Sequence, residues 1–202
     1  MTDTPVDPAP PEHPKSAPAD RAAHGPLDEA EANAVRPYVD LGGVKILPRA
    51  DLRVRLEVEE GSKRVVAVAL DYQESSLQVQ PFAAPRNSGL WHEIREQIAA
   101  QIQQQGGRTT PSDGPFGPEL RAELPAAQGG TPRVVRFIGV DGPRWFLRGV
   151  ISGRAAVDPQ AAEPVEDLFR SVVVVRGSAP MPPRDLIPLH VPPAAQSAPQ
   201  SV

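Results

Sequence analysis

The chain has 202 residues, a formal net charge of −4 and no cysteine. The absence of cysteine excludes a disulfide framework, a thiolate nucleophile and any Cys-ligated zinc or iron–sulfur site. The acidic balance speaks against a broad nucleic-acid footprint, and no run approaches the roughly 18 consecutive apolar residues of a membrane helix.

Residues 1–36 and 177–202 each hold seven of the 26 prolines. The first stretch has no aromatic residue and few large aliphatic ones. It has too little apolar surface to offset an ordering cost of about 1–2 kcal/mol per residue. Residues 1–36 are therefore expected to form a disordered acidic, Pro-rich tail. That tail lacks the basic and apolar regions of a signal peptide, which makes the cytoplasm the expected compartment. Residues 193–202 read as a second disordered tail.

Between the tails, YVDLGGVKIL at 38–47 reads as one short strand loosened by Gly42-Gly43. LRVRLEVE at 52–59 alternates perfectly, with Leu52, Val54, Leu56 and Val58 on one face and Arg53, Arg55, Glu57 and Glu59 on the other. Period two with a charged outer face marks a strand buried on one side. After the turn Glu60–Lys63, RVVAVALDY is apolar on both faces and reads as a central strand. SSLQVQPF at 75–82 is a fourth strand, ending near Pro81.

The period then changes. Trp91, Ile94, Ile98 and Ile102 recur at helical spacing, which predicts a helix from about Gly89 to Gln105 capped by Ser88 and stopped by Gly106. Two short strands are expected around Gly114–Gly117. RVVRFIGV and RWFLRGVI then flank Asp141-Gly142, a hairpin signal. Asp158 and Pro159 look like a helix start, but Pro164 lies deep enough to predict a turn followed by a separate helix over 164–171. VVVV at 172–175 is expected to close the core as a strand. Strands, helix, strands, helix implies α+β with a largely antiparallel sheet, one long and one short helix packed on it. This order resembles small sandwiches of the Mog1/PsbP type, a likeness of fold alone.

Recognisable catalytic patterns are missing. His13, His24, His92 and His190 have no second ligand at metal spacing, and Ser152-Gly153 is only a distant relative of a nucleophile elbow. Gly106-Gly107 and Gly129-Gly130 precede neither a Lys-Ser/Thr pair nor a helix start. Asp158, Glu163, Glu166 and Asp167 read as helix-start acids. No catalytic residue, metal or cofactor is predicted.

One surface stands out. A two-residue loop at Asp141-Gly142 puts Val134, Ile138, Val140, Trp145, Leu147 and Ile151 on a core face interrupted by Arg136. The other face then presents Phe137 opposite Phe146 and Val135 opposite Arg148, with Arg133 and Arg144 nearby. An aromatic pair among guanidinium groups offers apolar anchoring, cation–π contact and bidentate recognition of carboxylate or phosphate. The competing reading is that the second helix covers this face. Eighteen arginines against three lysines look like GC-rich coding, so a single arginine is weak evidence of phosphate binding.

The strings SSLQVQPFAAPRNSGLWHEIREQI, DGPFGPELRAELP, RFIGVDGPRWFLRGVISG and VVVVRGSAPMPPRDLIPLHVP resemble actinobacterial proteins grouped as domain of unknown function 3710. The resemblance spans roughly 38–192. It implies a bacterial cytoplasmic protein, often encoded near a dUTPase, with no catalytic residue to carry over. It also implies one domain over 37–192, a core at 37–176 with 177–192 docked on it through Leu186, Ile187, Leu189 and Val191. The function expected is a binding or adaptor module for another protein. The alternative is a nucleotide or phosphorylated-metabolite domain linked to nucleotide metabolism or genome maintenance. There Arg144 and Arg148 would hold phosphate, and Asp141 or Glu166 would act as base.

Overall fold

The computed structural model describes residues 13–126 and 130–192; the expected tails at 1–12 and 193–202, and Gly129, lie outside them. The first elements are α1 (Arg21–His24), β1 (Leu27–Asp28), β2 (Val39–Asp40), β3 (Val44–Ile46), β4 (Leu52–Val58), β5 (Val65–Tyr72) and β6 (Ser75–Ala83). There follow α2 (Trp91–Gln104), β7 (Arg108–Gly114), β8 (Gly117–Leu124), β9 (Arg133–Asp141), β10 (Trp145–Gly153), α3 (Pro159–Ser171) and β11 (Val173–Val174). Seven strands pair in the order β4-β5-β6-β10-β9-β8-β7, every pair antiparallel. A small sheet has the order β1-β11-β3-β2, parallel only between β1 and β11. The fold is α+β, as the alternating blocks imply.

Successive residues of a strand point to opposite faces, so the large sheet carries two cores. Val68, Leu70, Leu77, Val79, Ile138, Val140, Leu147 and Ile151 pack with Val165, Leu168 and Phe169 of α3 and with Val44, Ile46 and Val174 of the small sheet. On the opposite face, Leu120, Ala122, Val135 and Phe146 meet Trp91, Ile98 and Ile102 of α2. The isoleucine stripe therefore faces the sheet, and each buried member contributes about 1.5–3 kcal/mol.

Several elements differ from the sequence reading. Gly42, at φ +84°, splits 38–47 into β2 and β3, and its N–H donates to Asp40 Oδ1 at 2.8 Å. β6 runs through Pro81 to Ala83, because Pro81 still offers its carbonyl to Ile187 N–H at 2.9 Å. α3 is continuous through Pro164. Asp158 fixes its start by accepting from Gln160 N–H at 3.0 Å, and buried Ala162 and Val165 clamp it on either side of the proline. In the 177–192 segment Ile187 and Leu189 are buried, Leu186 is half-buried, and His190 N–H reaches Leu41 O at 3.0 Å, whereas Val191, expected to dock with them, is exposed.

The largest difference lies before residue 37. Residues 13–36 are not a free tail but run along the domain. β1 pairs with β11, Leu27 N–H donates to Val172 O at 3.0 Å, and Glu29 forms an ion pair with Lys45 at 2.7 Å. Gly25 (φ +81°) passes so close to the Arg170 carbonyl that a Cβ would sit 1.9 Å from its oxygen. Composition missed this because backbone pairing and charge, rather than apolar burial, hold the segment down.

Candidate functional site

The β9–β10 hairpin places the groups of interest. Its tip is wider than a two-residue turn. Pro143 has no N–H to return to Val140, so the strands close instead with Gly142 N–H on Trp145 O at 2.8 Å. Leu147 then faces Val140, and Phe146 faces Asp141. The register moves by an even number of residues, which preserves both faces but changes every pair. Phe137 lies opposite Val150, and Arg148 opposite Gly139.

Asp141 is buried and ties three segments together. Its carboxylate accepts from Leu90 N–H at 2.9 Å and Ser16 N–H at 2.9 Å, and its own N–H donates to Ser16 O at 2.8 Å. It therefore caps α2 from a distant strand, the role expected of Ser88. Burial raises its pKa above the ordinary carboxylate value, against the pull of these N–H groups and of Lys15. Asp141→Ala should lower stability by about 2 kcal/mol in denaturant melts, since it strands buried N–H donors. A raised folded-state pKa favours the fold on the acid side, an advantage lost as pH rises through that value. Asp141→Asn should remove that component from a stability–pH profile.

Beside the tip, on the other side, lies a cleft of about 460 Å³ lined by Asp28, Arg144, Arg176 and Ser178 among others. Its two carboxylates are already occupied. Asp28 accepts from Trp145 Nε1–H at 2.9 Å and Ala30 N–H at 3.1 Å, and Glu29 takes Lys45 Nζ at 2.7 Å. The two guanidiniums are not matched by them. Arg176 is pushed below the usual arginine range by burial and then by the charge of Arg144. It donates to Ala179 O at 2.9 Å, while its buried Nε has no partner among the described residues. Arg144 makes no side-chain hydrogen bond or ion pair among the described residues.

The structure separates the five residues singled out from sequence. Phe146 is fully buried, and Phe137 is half-buried at the edge of the same cluster. The covering element is α2, not α3, the helix expected over 164–171, because α2 crosses β7, β8 and β9 and drops Trp91 onto Phe146. The aromatic pair is thus an interior one. Arg148 lies over the Phe82 ring at 5.7 Å and bonds Gln80, with its Nε buried and unpaired among the described residues. Arg133 is exposed at the start of β9. Only Arg144 reaches the cleft. Its companion Arg176, which follows the valine run, carries no signal in the one-dimensional pattern. The suggested bases are both engaged, Asp141 as a cap and Glu166 with Arg136 at 2.8 Å. Among the described residues no group of three or more acidic or histidine side chains is placed to hold a metal, and no helix is long and apolar enough to cross a membrane.

A family described as "Protein of unknown function (DUF3710)" matches over residues 25–198. The chain belongs to that family. The match begins before the boundary read from composition and takes in β1, the docked segment and both arginines of the cleft. No curated protein matches. Among solved structures, the family member here is similar to the solution structure of cyanobacterial PsbP (CyanoP) from Synechocystis sp. PCC 6803. The identity is 13% and the TM-score 0.41, over 74% of this chain and 99% of that one.

Proposed function

We propose that this DUF3710 protein is a non-catalytic binding module that captures a phosphate group between Arg144 and Arg176. The reading rests on one observation: Arg144 and Arg176 line one cleft whose carboxylates are already engaged, and the buried Nε of Arg176 has no partner among the described residues. Like charges held together and partly desolvated raise the energy of the empty site, and an anion relieves both costs. Arginine suits this task because its planar fork binds phosphate through two hydrogen bonds. The cleft volume matches a phosphorylated metabolite. Asp28 and Glu29 at its wall disfavour an extended polyanion such as nucleic acid.

Thermal unfolding in inorganic phosphate, against chloride at equal ionic strength, tests the reading. Phosphate at a hundredfold excess over its dissociation constant should stabilise by about 2.7 kcal/mol. Arg176→Ala should abolish that gain while leaving the anion-free protein as stable as the parent or more so, since it removes a desolvated charge. Equal melting temperatures in phosphate and chloride would overturn the proposal.

A further inference from the structure

The outer edge of the large sheet is formed by β4. Among the described residues no strand pairs with its free side. Open edges of soluble proteins are normally blocked by proline, a bulge or inward charge. The opposite edge strand, β7, carries Pro111 in its middle. No such block is present in β4. Its sequence contains no proline, and the irregularity beside it lies in β5: Glu57 faces Ala67 and Val58 faces Val65, leaving Val66 as the extra residue. Two branched side chains on this strand, Val54 and Val58, are 40% and 50% exposed.

We propose that β4 pairs antiparallel with β4 of a second copy about a two-fold axis at Leu56. The strand is complementary to itself in that register alone. Arg55 falls opposite Glu57 of the second copy, Arg53 opposite Glu59, Val54 opposite Val58, and Leu56 opposite Leu56. Residues directly opposite have Cβ atoms about 4.5–5.5 Å apart, within reach of an Arg–Glu pair and of valine contact. Sliding by two residues in either direction sets Arg55 against Arg55 or Glu57 against Glu57. Sliding by one puts the charged face of one strand beside the apolar face of the other. The charges are also in place. Arg55 holds Asp71 through Nη2 at 3.0 Å and is exposed, Glu57 accepts from Gln78 Nε2–H, and Arg53 is exposed on the same face. On the other face, Leu56 already packs against the main core. Pairing extends that core across the axis and covers both valines. This surface is separate from the anion cleft, and neither proposal depends on the other.

Oligomeric state of the full chain by light scattering tests the pairing. The parent should be a dimer at high micromolar concentration. Arg55→Glu and Glu57→Arg should each weaken dimerisation at least roughly tenfold, because each places like charges opposite one another on both sides of the axis. Arg55→Glu/Glu57→Arg should dimerise again, since the exchange restores both pairs. The double variant loses the Arg55–Asp71 contact as well, so its recovery isolates the contact between copies. Mixing the two single variants should give a heterodimer, with acids on one strand facing arginines on the other. Circular dichroism confirms that each variant is folded. A monomeric parent, a dimer indifferent to both single changes, or a monomer that instead captures the strand of another protein would each overturn the proposal.

Discussion

Arg136→Ala should lower the free energy of unfolding by about 3–5 kcal/mol in guanidinium melts. Arg136 is the residue that breaks the apolar pattern on the core face of β9, and the structure shows why the break is tolerated. Its Nε and Nη2 meet Glu119 at 3.0 and 2.9 Å, and the same Nη2 meets Glu166 at 2.8 Å. Burial alone would depress its pKa, but the hydrogen bonds it donates to Glu119 and then to Glu166 outweigh this and raise it. Glu119 is only 7% exposed and also accepts from Ser112. Truncating the arginine leaves that carboxylate buried without a counter-ion and releases Glu166, the link from α3 to the sheet. The net worth of the intact triad is a different quantity. Replacing all three members by neutral residues of similar size should cost much less than Arg136→Ala alone, because no uncompensated charge remains. If the single and triple variants lose stability equally, the loss comes from packing and not from charge.

The same residue marks how far the sequence could be read. Period two in 52–59 identified a strand but not a buried face, since Val54 and Val58 stay exposed on the sheet edge, whereas the stripe Trp91, Ile94, Ile98, Ile102 identified a helix and its inward face. Even a four-residue error in the pairing sum left both faces of the hairpin correct, since side chains alternate with period two. What left no trace was which element lies on which face. Nothing local to Phe146 says that α2 rather than α3 covers it. Capping by Asp141 escaped for a similar reason, because the accepting carboxylate is 51 residues away in sequence from Leu90. Arg144 was picked out for phosphate, but beside Arg148, which the fold sets on the opposite face. Its observed companion, Arg176, lies beyond β11 and reaches the cleft only through the small sheet.

Phe146→Ala should cost about 3–5 kcal/mol in the same melts, comparable to other buried phenylalanines. Its ring stacks on Trp91 at 5.7 Å and on Phe82 at 6.1 Å, with no exposed surface. The space for this stack is created by a residue without a side chain. A Cβ on Gly139, the neighbour in β9, would stand 2.5 Å from the Trp91 ring and 2.8 Å from Phe146. The indole is further fixed by its Nε1–H on Pro118 O at 2.6 Å, so it has no room to retreat. Gly139→Ala should accordingly cost about 1–3 kcal/mol by overpacking the site that Phe146→Ala empties. The two variants perturb one cluster in opposite senses, so their double variant should be less destabilised than the sum of the two, the added methyl occupying part of the vacated volume. Phosphate-dependent stabilisation should survive in Phe146→Ala, because Arg144 and Arg176 lie on the other side of the sheet. Loss of that response together with stability would mean that Phe146 bears on ligand capture after all.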